Sequence, residues 1–229
     1  LYAHGDAAWV DAIAARAVAA GYIAFCLTVD TALYSRRERD LAIRNFRRRN
    51  VPGREYQPKL GWSDVARIKS KFKIPLMLKG IATAEDAKLA IEHGVEVVYV
   101  SNHGGRQLDH GRGTMEVLPE IVAAVAGRAR VIIDGGFNRG TDVVKALAAG
   151  ADLVGMGRME CIGLAAGGQA GVVRLLELLE HEVQTSLGLL GVTRWSELDT
   201  SYLHPATAVS SAATLSAFPL LNLDEASFY

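Results

Sequence analysis

Ser101-Asn102-His103-Gly104-Gly105-Arg106-Gln107-Leu108-Asp109 is the densest run of chemistry-bearing side chains in the sequence. It follows at once on the apolar stretch Val95–Val100, so it reads as the loop at the C-terminal end of a strand. A histidine placed there can act as a base near neutral pH. Arg106, three residues on, can fix a carboxylate through two parallel hydrogen bonds. The two glycines let the main chain approach a ligand closely. The plainer alternative is a solvated loop with a structural histidine, and the position after a strand favours chemistry.

Two further turns are rich in glycine. Asp134-Gly135-Gly136-Phe137-Asn138-Arg139-Gly140 and Gly155-Met156-Gly157-Arg158 each follow an apolar run and precede a helical pattern. Such turns present free N–H groups at a helix N-terminus and suit a phosphate, with Arg158 as counter-charge. Either turn alone is ordinary punctuation; the two in succession point to a phosphate. Thr28-Val29-Asp30-Thr31 ends another apolar run, Arg36-Arg37 follows six residues later, and Lys79 ends a fourth. Beside Arg39, Arg44 and Arg47–Arg49, the pair Arg36-Arg37 also reads as a solvated basic face.

The elements that must hold these groups repeat as strand, turn and helix. Strand-like runs are Ile23–Val29, Pro75–Leu78, Val95–Val100, Ala129–Ile133 and Leu153–Met156. Near-continuous apolar strands predict burial on both faces, as in a parallel sheet covered by helices. Helices are predicted over Ala8–Ala20, ended by Gly21, from the cap Thr83 to Ile91, and over Asp142–Ala149, stopped by Gly150. From Lys79, the polar groups at strand ends fall 22, 33 and 23 residues apart (Lys79, Ser101, Asp134, Gly157), a spacing natural to βα units. Five parallel strands do not close a barrel. The expected fold is α/β, a (β/α)8 TIM barrel of which the last five βα units are present, with residues 1–229 as the C-terminal portion of one barrel domain. Glycine-rich phosphate turns late in a βα series match the seventh and eighth strands of such a barrel. Leu189–Tyr229 reads as an extension with a short helix near Ser196.

Bulk composition narrows the partners. Lys and Arg total 25, as do Asp and Glu, so there is no electrostatic case for nucleic acid. Cys26 and Cys161 are expected to be buried thiols rather than a disulfide, and no metal-ligand spacing surrounds them. No apolar run of 18 residues and no signal peptide are evident, so neither a membrane span nor export is expected and the location reads as cytoplasmic.

Taken together, the motifs resemble the FMN-dependent 2-hydroxy-acid oxidase and dehydrogenase family, which includes glycolate oxidase, lactate oxidase and mandelate dehydrogenase. The resemblance rests on Leu27-Thr28-Val29-Asp30-Thr31 with Arg36-Arg37-Glu38, Leu78-Lys79-Gly80, Ser101–Asp109, Asp134-Gly135-Gly136 and Gly157-Arg158, in the family's order over residues 1–190. It implies oxidation of an L-2-hydroxy acid to the 2-oxo acid with FMN as cofactor. His103 would be the base, Asp30 its orienting carboxylate and Tyr2 a substrate hydrogen-bonding partner. Arg106 and Arg37 would hold the substrate carboxylate. Lys79 would sit at the N1/O2 edge of the flavin, with Thr28 and Ser101 on the ring and ribityl chain. Asp134, Gly135, Gly136, Asn138, Gly157 and Arg158 would bind the ribityl and phosphate end. The partners implied are a small 2-hydroxy acid, oxygen or another carrier as electron acceptor, no metal, and further copies of the chain in a homo-oligomer.

The sequence departs from the family pattern at Asn138, where an Arg commonly helps hold the phosphate, leaving that task to Arg158 and Arg139. The segment from Arg37 to Lys79 is short beside many relatives. Two rival readings are another FMN- or phosphate-binding barrel enzyme, and a truncated, non-catalytic copy. The first does not account for a His-Gly-Gly-Arg run together with Arg37; the intact set of Asp30, Lys79, His103 and Arg106 argues against the second, which the absence of the family's N-terminal third keeps open.

Overall fold

A computed structural model describes residues 1–33, 35, 37, 38, 42, 53–108 and 110–206. Arg36, Arg39, Arg44, Arg47–Arg49, Asp109 and the end of the expected C-terminal extension lie outside the described residues.

The chain alternates strand and helix. The elements are α1 (Ala7–Ala19), β1 (Phe25–Thr28), α2 (Trp62–Lys71), β2 (Leu76–Ile81), α3 (Ala84–Glu92), β3 (Val97–Val100), α4 (Thr114–Val125), β4 (Arg130–Ile133), α5 (Gly140–Ala148), β5 (Leu153–Val154) and α6 (Arg158–Leu189). The five strands form one parallel sheet in the order β1-β2-β3-β4-β5, the arrangement of consecutive barrel strands. Each predicted strand is present, four of them shorter and β2 longer, running on to Ile81; Ile23, for instance, is 89% exposed and stands outside β1.

Register places the strand ends side by side. Thr28 pairs with Lys79, Lys79 with Tyr99, and Tyr99 with Ile132. Between Lys79 and Ile81 the register shifts at Gly80, whose φ of 113° suits glycine. A Cβ there would lie 2.5 Å from Asp30, so the missing side chain is what lets Asp30 pack over the end of β2.

One face of the sheet carries the core. Phe25, Leu27, Leu76, Leu78, Val98, Val100, Val131 and Ile133 are buried together with α-helical residues such as Ile68, Leu118 and Ile121. Truncating one of these, Leu78 for example, would cost about 2–5 kcal/mol. The intervening residues Cys26, Met77, Lys79, Val97, Tyr99 and Ile132 are only half-buried. Burial on both faces was expected; within the described residues the second face is only partly covered.

Local chemistry sets the helix ends. Asp6 accepts from the Trp9 amide at 2.9 Å to start α1, and Thr83 accepts from the Asp86 amide at 3.2 Å to start α3. α5 begins two residues before the expected Asp142. That carboxylate instead accepts from the amides of Asn138 and Arg139, each at 3.0 Å. Gly140 permits α5 to meet α6, since a Cβ would fall 2.5 Å from Glu182.

One expectation is corrected here. Cys161 is exposed rather than buried, and both thiols are free. α6 spans 32 residues and contains an 18-residue window of mean hydropathy 1.3, long and apolar enough by composition to cross a membrane. Every such window with at most two charged residues includes Gly167 and Gly168, where the backbone leaves helical geometry (φ −157° and 58°). The short turn predicted near Ser196 is a 3-10 turn, Trp195–Glu197.

Candidate active site

Tyr2, Asp30 and His103 come from three distant parts of the chain and meet at the C-terminal ends of the strands. The His103 Nδ1 lies 2.7 Å from Asp30 Oδ2, and its Nε2 lies 2.8 Å from the Tyr2 hydroxyl. A carboxylate at Nδ1 requires that nitrogen to carry the proton. The neutral ring then presents its Nε2 lone pair, and the Tyr2 hydroxyl donates to it. Burial first, then the Asp30 charge, raises the Tyr2 pKa, and the Arg54 and Arg37 cations oppose the shift without reversing it. Tyr2 is thus held as a neutral phenol.

His103 is presented by a strained turn. Its φ is 56°, and Gly104 and Gly105 follow at 63° and 70°. Left-handed backbone is cheap for glycine but unfavourable for histidine, and such strain is held by its surroundings. Asn102 supplies the hold. Its side-chain oxygen accepts from the Gly105 amide at 3.1 Å and its amide group donates to the Arg112 carbonyl at 3.0 Å. The His103 amide also donates to Ser101 Oγ at 3.3 Å.

Lys79, Ser101 and Asp134 form a second cluster beside the first. Lys79 Nζ donates to Ser101 Oγ at 2.8 Å and pairs with Asp134 Oδ2 at 3.1 Å. Ser101 is fully buried, and Thr28 is 3% exposed in the same register row as Lys79. The Tyr99 hydroxyl also bonds the Asp134 carboxylate, but among the described residues nothing partners its buried Oδ1, an acceptor left over for a ligand donor.

The two arginines are linked through the His103 loop. Arg37, 9% exposed, donates from Nε to the Arg106 carbonyl at 3.0 Å and from Nη2 to Gln107 Oε1 at 2.9 Å. Gly135 and Gly136 turn the backbone at φ of 102° and 84°, and a Cβ on Gly136 or on Gly157 would meet nothing within 4 Å among the described residues. Asn138 donates to the Gly136 carbonyl at 3.1 Å, inside its own loop. The Arg158 guanidinium donates to the Gly104 carbonyl at 3.2 Å, which ties the last glycine turn to the His103 loop. Arg139 does not join this group. It pairs with Glu182 at 2.7 Å, on the α6 side.

Several residues at the site carry no motif. Arg54 lies 5.5 Å from the Tyr2 ring centroid and Gln107 holds Arg37. Tyr99 projects from β3 against Lys79, whose Nζ is 5.1 Å from the ring centroid, and against Gly155. Burial first, then the neighbouring Asp134 carboxylate, pushes the Tyr99 pKa well above the usual phenol range.

Comparison with known proteins decides the family. The model of the FMN-dependent dehydrogenase family matches residues 44–205. The chain belongs to that family. An L-lactate oxidase of Nostoc sp. is 42% identical over 89% of this chain and 63% of its own length. Glycolate oxidase of Spinacia oleracea is 38% identical over 89% of this chain and 62% of its length. The solved structure of a mandelate oxidase with (S)-2-phenylpropionate superposes with a TM-score of 0.79 at 39% identity, covering 86% of this chain and 60% of that one. The chain thus spans about three-fifths of the length of these relatives, and its sheet is five consecutive βα units of a (β/α)8 barrel.

The family's cofactor is FMN, and this chain's residues fit it. The cluster offers a fixed cation in Lys79, an unpartnered buried acceptor in Asp134 Oδ1, and glycine turns with open space where side chains would otherwise stand. The α6 N-terminus follows Gly157 directly, which suits a phosphate.

Proposed function

We propose that the protein containing this chain oxidises an L-2-hydroxy acid to the 2-oxo acid, with FMN taking the two electrons. The observation that carries this reading is His103 fixed in a left-handed turn between Asp30 and Tyr2, beside paired arginines. The names of the relatives, lactate and glycolate oxidase, support the substrate class and favour oxygen as the electron acceptor.

The residues divide the work. Arg37 and Arg106 bind the substrate carboxylate, and the Arg37 bond to the Arg106 main chain sets their relative position. A guanidinium grips a carboxylate through two parallel bonds and so fixes orientation as well as charge. Tyr2 and His103 then face the carbon that bears the hydroxyl. The Nε2 lone pair of His103 accepts the proton released on oxidation, and Asp30 stabilises the imidazolium that results. Once Nε2 is protonated, the Tyr2 hydroxyl rotates from donor to acceptor, so no hydrogen bond is lost.

At the other end, bound FMN supplies a two-electron acceptor whose reduction places negative charge at the N1/O2 edge of its ring. Lys79 would hold that edge and offset the charge, positioned by Ser101 and Asp134. Thr28 and Ser101 would line the ring and ribityl chain. Asp134, Gly135, Gly136, Asn138, Gly157 and Arg158 would hold the ribityl and phosphate end. Among the described residues nothing lies within 4 Å of where a Cβ on Gly105 would stand, which leaves room for a 2-hydroxy acid larger than glycolate.

Anaerobic addition of a panel of L-2-hydroxy acids to the FMN-loaded full-length protein tests the reading. The visible flavin band is expected to bleach, with longer side chains favoured over glycolate. A bound flavin that no 2-hydroxy acid reduces would overturn it and point to another FMN barrel chemistry.

A further inference from the structure

We infer that Gln57 is a positioning residue, whose carboxamide is inserted between two strand ends to set the gap that His103 spans. The inference rests on the reading of His103 as the base.

The first residues of the chain run beside β1 in a parallel ladder. The Leu1 amine donates to the Cys26 carbonyl at 2.5 Å, and the Thr28 amide donates to the Leu1 carbonyl at 2.9 Å. In a regular parallel ladder the next bond would run from the Ala3 amide to the Thr28 carbonyl. That bond is replaced. The Ala3 amide donates instead to Gln57 Oε1 at 2.6 Å, and Gln57 Nε2 donates to the Thr28 carbonyl at 2.8 Å.

Two hydrogen bonds and the width of a carboxamide therefore stand where one hydrogen bond would. The strands must diverge at this point, which is flanked by Tyr2 just before Ala3 on one side and by Asp30, two residues past Thr28, on the other. His103 bridges the side chains from the two flanks, touching Tyr2 through Nε2 and Asp30 through Nδ1. Closing the ladder directly would bring the flanking groups together and leave no room for an imidazole in line with both.

Glutamine is suited to this place because it offers a donor and an acceptor on one planar group. Gln57 is 5% exposed, so neither bond has water as a ready substitute. Its backbone is anchored at the entry to α2. It opens the 3-10 turn Gln57–Lys59, whose flanking residue Tyr56 donates to Asp64, and Asp64 also accepts from the Gly61 amide at 3.1 Å. The spacer is thereby fixed to the helix layer rather than to either strand it separates.

The test uses FMN-loaded full-length protein with two variants, Gln57→Met, which keeps the length without the polar group, and Gln57→Glu, which keeps an acceptor for Ala3. Two readouts are taken: the downfield proton resonance of the His103–Asp30 hydrogen bond, and the rate of anaerobic flavin reduction by a 2-hydroxy acid. We expect Gln57→Met to shift or lose the resonance and to slow reduction by about tenfold or more, with FMN content unchanged, as displaced reacting groups do. Gln57→Glu should fall between Gln57→Met and wild type, and it decides by the same readouts if Gln57→Met does not fold. Wild-type resonance and rate in the variants would overturn the inference. If no 2-hydroxy acid reduces the wild-type flavin, the resonance alone decides: its displacement sustains Gln57 as the spacer while the proposed reaction falls.

Discussion

The Arg37 guanidinium is bonded through Nε to the main-chain carbonyl of Arg106, 3.0 Å away and 69 residues on in sequence. One carboxylate-binding candidate therefore sets the backbone that carries the other, Arg106, on the loop that presents His103. Lysine keeps the charge but has no planar fork, so it cannot hold the Arg106 carbonyl and Gln107 together. Arg37→Lys is expected to raise the KM for a 2-hydroxy acid by about 10–100-fold, the loss that goes with a charge-assisted hydrogen bond. Steady-state kinetics with a matched FMN content check this, and an unchanged KM would remove Arg37 from the substrate site.

Tyr99 and Gly155 complement each other across β3 and β5. A Cβ at residue 155 would fall 2.0 Å from the Tyr99 hydroxyl. Gly155→Ala alone is expected to destabilise the protein by about 1–3 kcal/mol through overpacking. Adding Tyr99→Phe should recover most of that loss, since it removes the clashing oxygen. Urea unfolding of the single and double variants measures the coupling; purely additive effects would show that the two side chains do not meet.

The positive charge of Lys79 lies beside Ser101 and Asp134, where FMN reduction would build negative charge. Lys79→Met is expected to lower the flavin midpoint potential, because the reduced, anionic form loses its cation. A potentiometric titration of the bound flavin reads this directly, and a potential equal to wild type would place Lys79 away from the ring.

Tyr56 offers a pH test of the scaffold that supports Gln57. Burial first, and then hydrogen bonding to Asp64, push its pKa up to about 12 from the ordinary 10. The folded-state value is raised, so the stabilisation is fully present below pH 10 and is lost as pH rises through about 12. Tyr56→Phe should be less stable than wild type at pH 8, and the difference should shrink across that window. Urea midpoints at a series of pH values check it; a constant difference would mean the phenol is not the titrating group.

Much of this arrangement was legible in the sequence because it is written locally. Apolar runs ended by Ser101, Asp134 and Gly157 mark strand termini, and groups at strand termini of βα units must converge. Near-continuous apolar runs ended by polar groups therefore mark the candidate site in the sequence itself. What was hidden depends on contacts far apart in sequence. Gln57 lies between Tyr56 and Pro58 in no recognisable motif, and its partners are 54 and 29 residues away. Tyr99 reads as one more strand residue, and only the absent side chain at Gly155 reveals that its hydroxyl is accommodated. Arg139 reads as a cation for the phosphate, but Glu182, 43 residues on, holds it against α6.

The central claim is that His103 accepts the proton as the substrate is oxidised, and His103→Gln tests it most directly. Glutamine keeps a polar group near Asp30 and Tyr2 but cannot take up the proton. Full-length protein carrying His103→Gln should retain FMN and still bind a 2-oxo acid, seen as a perturbed flavin spectrum. Its anaerobic reduction by the best 2-hydroxy acid should slow by about 100-fold or more, the contribution expected of a general base. Reduction at the wild-type rate in that variant would contradict the account.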